Sequence, residues 1–143
     1  MAIHYFDEGV RSGLKQKRKL SAFLLDLLQR FRAPRRTTIN FVFCDDAYLL
    51  EKNQQFLNHD TLTDIITFDL SENEEDLYAE IYISKERLEE NALKFEVPYQ
   101  RELHRIIFHG VLHLCGFKDK SKADKARMTE MENECLSKYF EQL

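Results

Sequence analysis

The sequence predicts an α+β domain: a small four-stranded mixed sheet packed with about five helices, with a metal site at the end of a central helix. Three observations carry that expectation. Apolar residues recur at helical spacing in long segments, while four short segments are apolar or alternate at period two. Helices fill the C-terminal part of the chain instead of alternating regularly with strands. A length of 143 residues with only 4 Gly and 2 Pro leaves little room for linkers, so one domain over residues 1–143 is expected.

Residues 2–6 (AIHYF) read as a short first strand. Residues 19–31 form a helix, because Leu20, Phe23, Leu24, Leu27, Leu28 and Phe31 share one face, and Ala33-Pro34 closes it. Residues 37–44 (TTINFVFC) are rich in β-branched and aromatic residues and make a second strand. Asp45-Asp46 caps a second helix running through Phe56, and residues 57–63 make a polar connection. Residues 64–70 (DIITFDL) form a third strand. The acidic turn 71–76 joins it to a fourth over 77–84, so the two should pair antiparallel. In the fourth strand Leu77, Ala79, Ile81 and Ile83 share one face, and Tyr78, Glu80 and Tyr82 the other. Ser84 caps a helix over 85–95 without the full reciprocal box, and Val97-Pro98 breaks the chain. A helix then runs from about Tyr99 to Cys115 and stops at Gly116. The last helix, about Lys122 to Tyr139, opens on Ser121-Lys122-Ala123-Asp124, which resembles a capping box.

Composition excludes several classes. An apolar content of 43% beside 32% charged residues is that of a globular domain with its own core. The first ten residues lack the pattern of a signal peptide, and no apolar run reaches membrane-spanning length. Cys44, Cys115 and Cys135 form no CxxC pair, so a reduced, cytoplasmic protein is expected. The net charge of −4 argues mildly against a nucleic-acid binder, and no DNA partner is expected, but the charge is uneven. Residues 1–40 hold nine Lys/Arg (Arg11, Lys15, Lys17, Arg18, Lys19, Arg30, Arg32, Arg35, Arg36) against three acidic residues. That segment is +6, which leaves −10 for the rest. Such a segment could grip phosphates or could be an ordinary solvated helix surface.

The chemistry concentrates in HGVLHLCGFKD, residues 109–119. His109 and His113, four residues apart, lie about 40° apart around a helix, so both rings can reach one ion. Gly116 ends the helix, and Asp119 follows within reach as a carboxylate. Zinc accepts this donor set, and three protein ligands leave a position for water, whose pKa the ion lowers. Gly110 inside the helix costs about 1 kcal/mol against Ala, so something should approach closely there. A His pair alone is a weak signal, and Asp119 alone also reads as a turn residue. His104 lies about 140° around from His109 and is a poor fourth ligand. His4 reads as an ordinary strand residue. The general base that follows the first His in thermolysin-like proteases is absent, because that position is Gly110.

The same segment resembles the hallmark HGxLHLxGYDH of the YbeY family, bacterial rRNA maturation factors and predicted single-strand endoribonucleases. His109, Gly110, Leu112, His113, Leu114 and Gly116 match outright and Phe117 conservatively. Two positions depart: Lys118 replaces an Asp, and Asp119 replaces the third metal-binding His. An Asp there still suits zinc but is a harder, charged donor. Residues 63–68 (TDIITF) are similar to the family's TDVLSF strand, and residues 79–84 (AEIYIS) to its GDIVIS strand, with Glu80 for Asp. Met128 and Glu132 fall where the family has a Met and a Glu. The family's Arg shortly before TD is missing: Phe56-Leu57 stands there, with His59 and Lys52 nearby.

The resemblance implies a single-strand-specific, metal-dependent endoribonuclease. It would act in late maturation of the 16S rRNA 3′ end and in 30S/70S ribosome quality control, with rRNA and the small ribosomal subunit as partners. Metal ligands would be His109, His113 and Asp119, holding one Zn2+ or another divalent ion. Asp64 and Glu80 are candidates for orienting a ligand His, and equally for plain strand-end polar residues. The basic residues of 11–36 would hold the RNA backbone. Two other readings stay open: a non-catalytic ribosome-biogenesis factor with a structural metal, and a small metallohydrolase acting on another substrate.

Overall fold

The computed structural model describes residues 2–57 and 63–141. Its elements follow the order β1 (Ala2–Asp7), α1 (Lys17–Phe31), β2 (Arg36–Cys44), α2 (Asp46–Leu57), β3 (Ile65–Asp69), β4 (Asp76–Ser84), α3 (Lys85–Lys94), α4 (Tyr99–Leu114) and α5 (Lys122–Glu141). The strands form one sheet in the order β1-β2-β4-β3. β1 and β4 each run parallel to β2, and β3 runs antiparallel to β4 with Ile65 opposite Ile83. The four-stranded mixed sheet and five helices are those expected. Most of the polar connection 57–63, with His59, lies outside the described residues. Among the described residues no helix is long and apolar enough to cross a membrane.

The capping signals act as written. Asp45 Oδ1 accepts from the Tyr48 amide at 2.8 Å. Ser84 Oγ accepts from the Arg87 amide at 3.3 Å while donating to Asp46 Oδ1 at 2.6 Å. At the head of α5, Ser121 and Asp124 satisfy each other's amides at 3.0 and 3.4 Å. Helix α1 begins two residues earlier than its apolar spacing indicates, after Gln16 in a left-handed conformation (φ +54°).

The inner face of the sheet carries the main core. Ile39, Phe41, Ile81 and Ile83 are fully buried against α1, α4 and α5. Each such side chain stabilises the fold by about 1.5–3 kcal/mol relative to exposure. Phe108 of α4 anchors the other helices through ring contacts with Phe23 of α1 at 5.2 Å and Tyr139 of α5 at 5.8 Å. His104 belongs to this cluster, stacked 5.0 Å from Tyr139 and bonded to the Gln100 carbonyl, so its role is packing.

Tyr82 corrects the simple two-sided reading of β4. It shares a face with exposed Tyr78, yet it is buried with Cys44, Leu49 and Ile66 in a second cluster. Helix α2 packs over that part of the outer face. Period-two alternation says which face a residue occupies, not whether a helix covers that face.

Candidate metal centre

Helix α4 delivers both histidines to the edge of the sheet, and its C-terminus turns the third donor back onto them. Gly116 takes φ +101°, a conformation that favours glycine. Its amide bonds to the His113 carbonyl at 3.0 Å, and the Phe117 amide bonds to the Leu112 carbonyl at 3.0 Å. These two bonds are the Schellman pattern, which satisfies the last carbonyls and reverses the chain. Phe117 then packs edge-on against Phe31 at 5.0 Å, which pins the returning loop.

Two residues later Asp119 Oδ2 lies 3.4 Å from His109 Nε2 and 3.3 Å from His113 Nε2. The two imidazole rings stand nearly perpendicular, 4.8 Å apart. One ligand atom from each of the three residues falls within 4.8 Å of the others, and among the described residues no other His, Cys, Asp and Glu converge in this way. A tetrahedral zinc with bonds of about 2.0–2.2 Å separates its donors by about 3.3–3.5 Å, which the two nitrogen-to-oxygen distances match. The donor set and its spacing therefore fit a divalent cation. The site opens into a cleft of about 420 Å³, walled by Thr63, Asp64 and Thr67 opposite the three donors.

Glu132 of α5 orients His109. Its Oε2 lies 2.6 Å from His109 Nδ1, and its Oε1 accepts from Arg105 Nη1 at 2.9 Å. A carboxylate can only accept here, so Nδ1 carries the proton and Nε2 turns its lone pair toward Asp119. Burial alone would lower the pKa of His109. The hydrogen bond and charge of Glu132, then the charges of Asp119 and Asp64, outweigh it, and the pKa is raised. Asp64 is also shifted upward, because burial outweighs its hydrogen bonds and the attraction of His109.

Gly110 accounts for how closely α4 approaches the sheet. A Cβ on it would meet Ile65 Cδ1 at 3.0 Å and Ile81 Cδ1 at 3.2 Å. Gly110→Val should overpack this contact and destabilise the fold by about 1–3 kcal/mol. Urea unfolding measures this, and a variant as stable as wild type would show that the contact yields freely.

The other sequence candidates separate. Asp64 reaches the cleft wall. Glu80 does not: it lies on the outer face of β4, where its carboxylate accepts from Tyr82 Oη at 3.2 Å, while its neighbour Ile81 faces Gly110. A one-residue step along a strand crosses the sheet, so Glu80 cannot orient a ligand His. Lys52 also sits on that side, over the rings of Tyr48 and Tyr82. The residue missed as an orienting group is Glu132. Its signals were the match to the family's Glu and a carboxylate on the face of α5 that buries Met128, Met131, Cys135, Leu136 and Tyr139.

The sequence profile of the family described as Endoribonuclease YbeY matches residues 7–140. The chain is similar to proteins named Endoribonuclease YbeY from several bacteria. It is 59% identical to that of Flavobacterium psychrophilum over 98 residues, 68% of this chain and 69% of the relative. It is 41% identical to that of Porphyromonas gingivalis over 134 residues, 94% and 87% of the two chains. It is 39% identical to that of Bacteroides fragilis over 137 residues, 96% and 97% of the two. Among solved structures it is similar to the solution structure of a Thermotoga maritima protein, with a TM-score of 0.62 and 28% identity over 97% of this chain and 89% of that one.

Proposed function

The chain belongs to the YbeY endoribonuclease family, and on that premise we propose that it is a metal-dependent hydrolase of RNA phosphodiester bonds. We place its action on single-stranded rRNA of the small ribosomal subunit, in late 16S 3′-end maturation and 30S/70S quality control, in the bacterial cytoplasm. The observation that carries this reading is the convergence of His109, His113 and Asp119 at one end of an open cleft.

Two imidazoles and a carboxylate suit zinc above the harder alkaline-earth ions. A divalent cation held there supplies a Lewis acid for a phosphoryl oxygen and lowers the pKa of water. The chain's own groups do the rest. Glu132 keeps Nε2 of His109 turned to the cleft. Asp64 lines the cleft across from the donors, and we assign it the proton of the attacking water. His109, the deepest of the donors, is only 19% exposed, which favours a strand free to bend inward over a stiff duplex.

A purely structural metal fits less well. Structural zinc sites are closed by four protein ligands, whereas here three donors face a cleft and Asp119 is 40% exposed. The test is cleavage of single-stranded 16S rRNA fragments by the purified protein with zinc and with chelator. Cleavage that needs the metal is expected. Equal cleavage in chelator, or none with any divalent metal, would overturn the enzymatic reading.

A further inference from the structure

Resting on the reading that the cleft cuts RNA, we propose that the phosphate backbone entering it is held by Lys118 and Lys120 of the α4–α5 loop with Lys122 at the head of α5, and not by the basic N-terminal segment. The cleft needs cations beside it. Its walls carry Asp64, Asp69 and Asp119, which repel phosphate, and a strand reaches them only if neighbouring positive charges offset that field. The loop that carries Asp119 also carries cations. Lys118 and Lys120 are the immediate neighbours of Asp119, and Lys122 opens α5. All three are exposed, and among the described residues none has an ion pair or a side-chain hydrogen bond. The backbone beneath them is held at both ends, by the Gly116 turn and by the Ser121–Asp124 box.

The N-terminal cations fail on two counts. Some are engaged by the protein itself. Arg30 pairs with Glu134, and Arg35 with Glu75 and Asp76. Arg32 does reach the cleft wall, but its guanidinium holds Asp69 at 2.8 Å and the Leu114 carbonyl at 2.8 Å. Others are far away. The carbonyls of Ser12 and Gly13 are bonded by Tyr99 and Gln100 in the first turn of α4, which places Arg11 and Lys15 at that end. Helix α4 has 16 residues, about 24 Å, and the metal donors occupy its last two turns and the loop beyond.

The experiment uses the zinc-loaded protein and a fluorescein-labelled oligouridylate of about twelve nucleotides. Anisotropy is read before measurable cleavage at several salt concentrations, followed by KM and kcat. Each phosphate contact to a single strand contributes about 0.7 to the salt slope. Lys118→Gln/Lys120→Gln/Lys122→Gln should therefore lower the slope by about 2, weaken low-salt binding roughly tenfold or more, and raise KM more than it lowers kcat. Arg11→Gln/Lys15→Gln/Lys17→Gln should leave all three unchanged. The proposal is overturned if the loop variant keeps wild-type slope and affinity, or if the N-terminal variant takes the loss; cleavage by the wild type would survive either result. Wild type that neither binds nor cuts the strand would remove the functional reading as well.

Discussion

In His113→Ala, bound divalent metal is expected to fall from about one ion per chain to background, and RNA cleavage to fall by about 10²–10³-fold. The size follows from the several kilocalories per mole that a Lewis acid contributes to phosphoryl chemistry. His113 is a suitable probe because its imidazole has few other duties. It is about one-third exposed and its polar contact is with Asp119. The fold should survive: the core around Phe41, Phe108 and Leu28 does not involve it. Asp119→Ala should lose metal in the same way, and Asp119→His should keep it, since an imidazole restores a neutral nitrogen donor. Metal content by elemental analysis, with thermal unfolding as the control, checks all three. Undiminished metal in Asp119→Ala would remove Asp119 from the site. Metal uptake should also weaken as pH falls. The pKa of His109 is raised in the metal-free fold, so protons compete for Nε2 from above its usual range downward. Chelation should shift the melting temperature only by the linkage of a bound ligand, not by the collapse expected of a structural zinc.

The elements of this fold were legible because each is written locally. Apolar spacing in α1 and α4, alternation in β2 and β4, and the caps at Asp45, Ser84 and Ser121 all agree with one another. The histidine pair was equally legible, since residues four apart on a helix share a face regardless of what lies opposite. Gly110 announced a close approach without naming the partner, which proved to be Ile65 and Ile81. Long-range choices were not legible. Glu80 and Asp64 looked alike as acidic residues at strands, and only the direction of each side chain relative to α4 separates them. The basic N-terminal segment looked continuous in sequence, but folding spread its cations between both ends of α4 and paired several. The hidden coverage of Tyr82 by α2 has the same origin.

Glu132 is the long-range contact with the largest consequence, and Glu132→Ala is expected to weaken metal binding by about 10–100-fold without touching a metal ligand. The carboxylate is only 10% exposed and spans Arg105 and His109 at 2.9 and 2.6 Å. Arg105 fixes it from one side, also bonding Asn133 at 2.8 Å, so Glu132 presents a pre-set acceptor to Nδ1. Without it the imidazole can carry its proton on Nε2, the atom that must be free to bind, and can rotate away from Asp119. Glu132→Gln separates orientation from charge. Its amide oxygen can still accept from Nδ1–H, so it should lose less affinity than the alanine variant while forfeiting the negative charge. Competition with a chromogenic chelator gives the affinities, and nitrogen chemical shifts of His109 give the tautomer. In wild type Nδ1 should be protonated, and in Glu132→Ala the two tautomers should mix. A general loss of stability would not produce that pattern, because it would leave the tautomer of the remaining folded molecules unchanged. An alanine variant that binds metal like wild type, with Nδ1 still protonated, would show that α4 alone orients the ring.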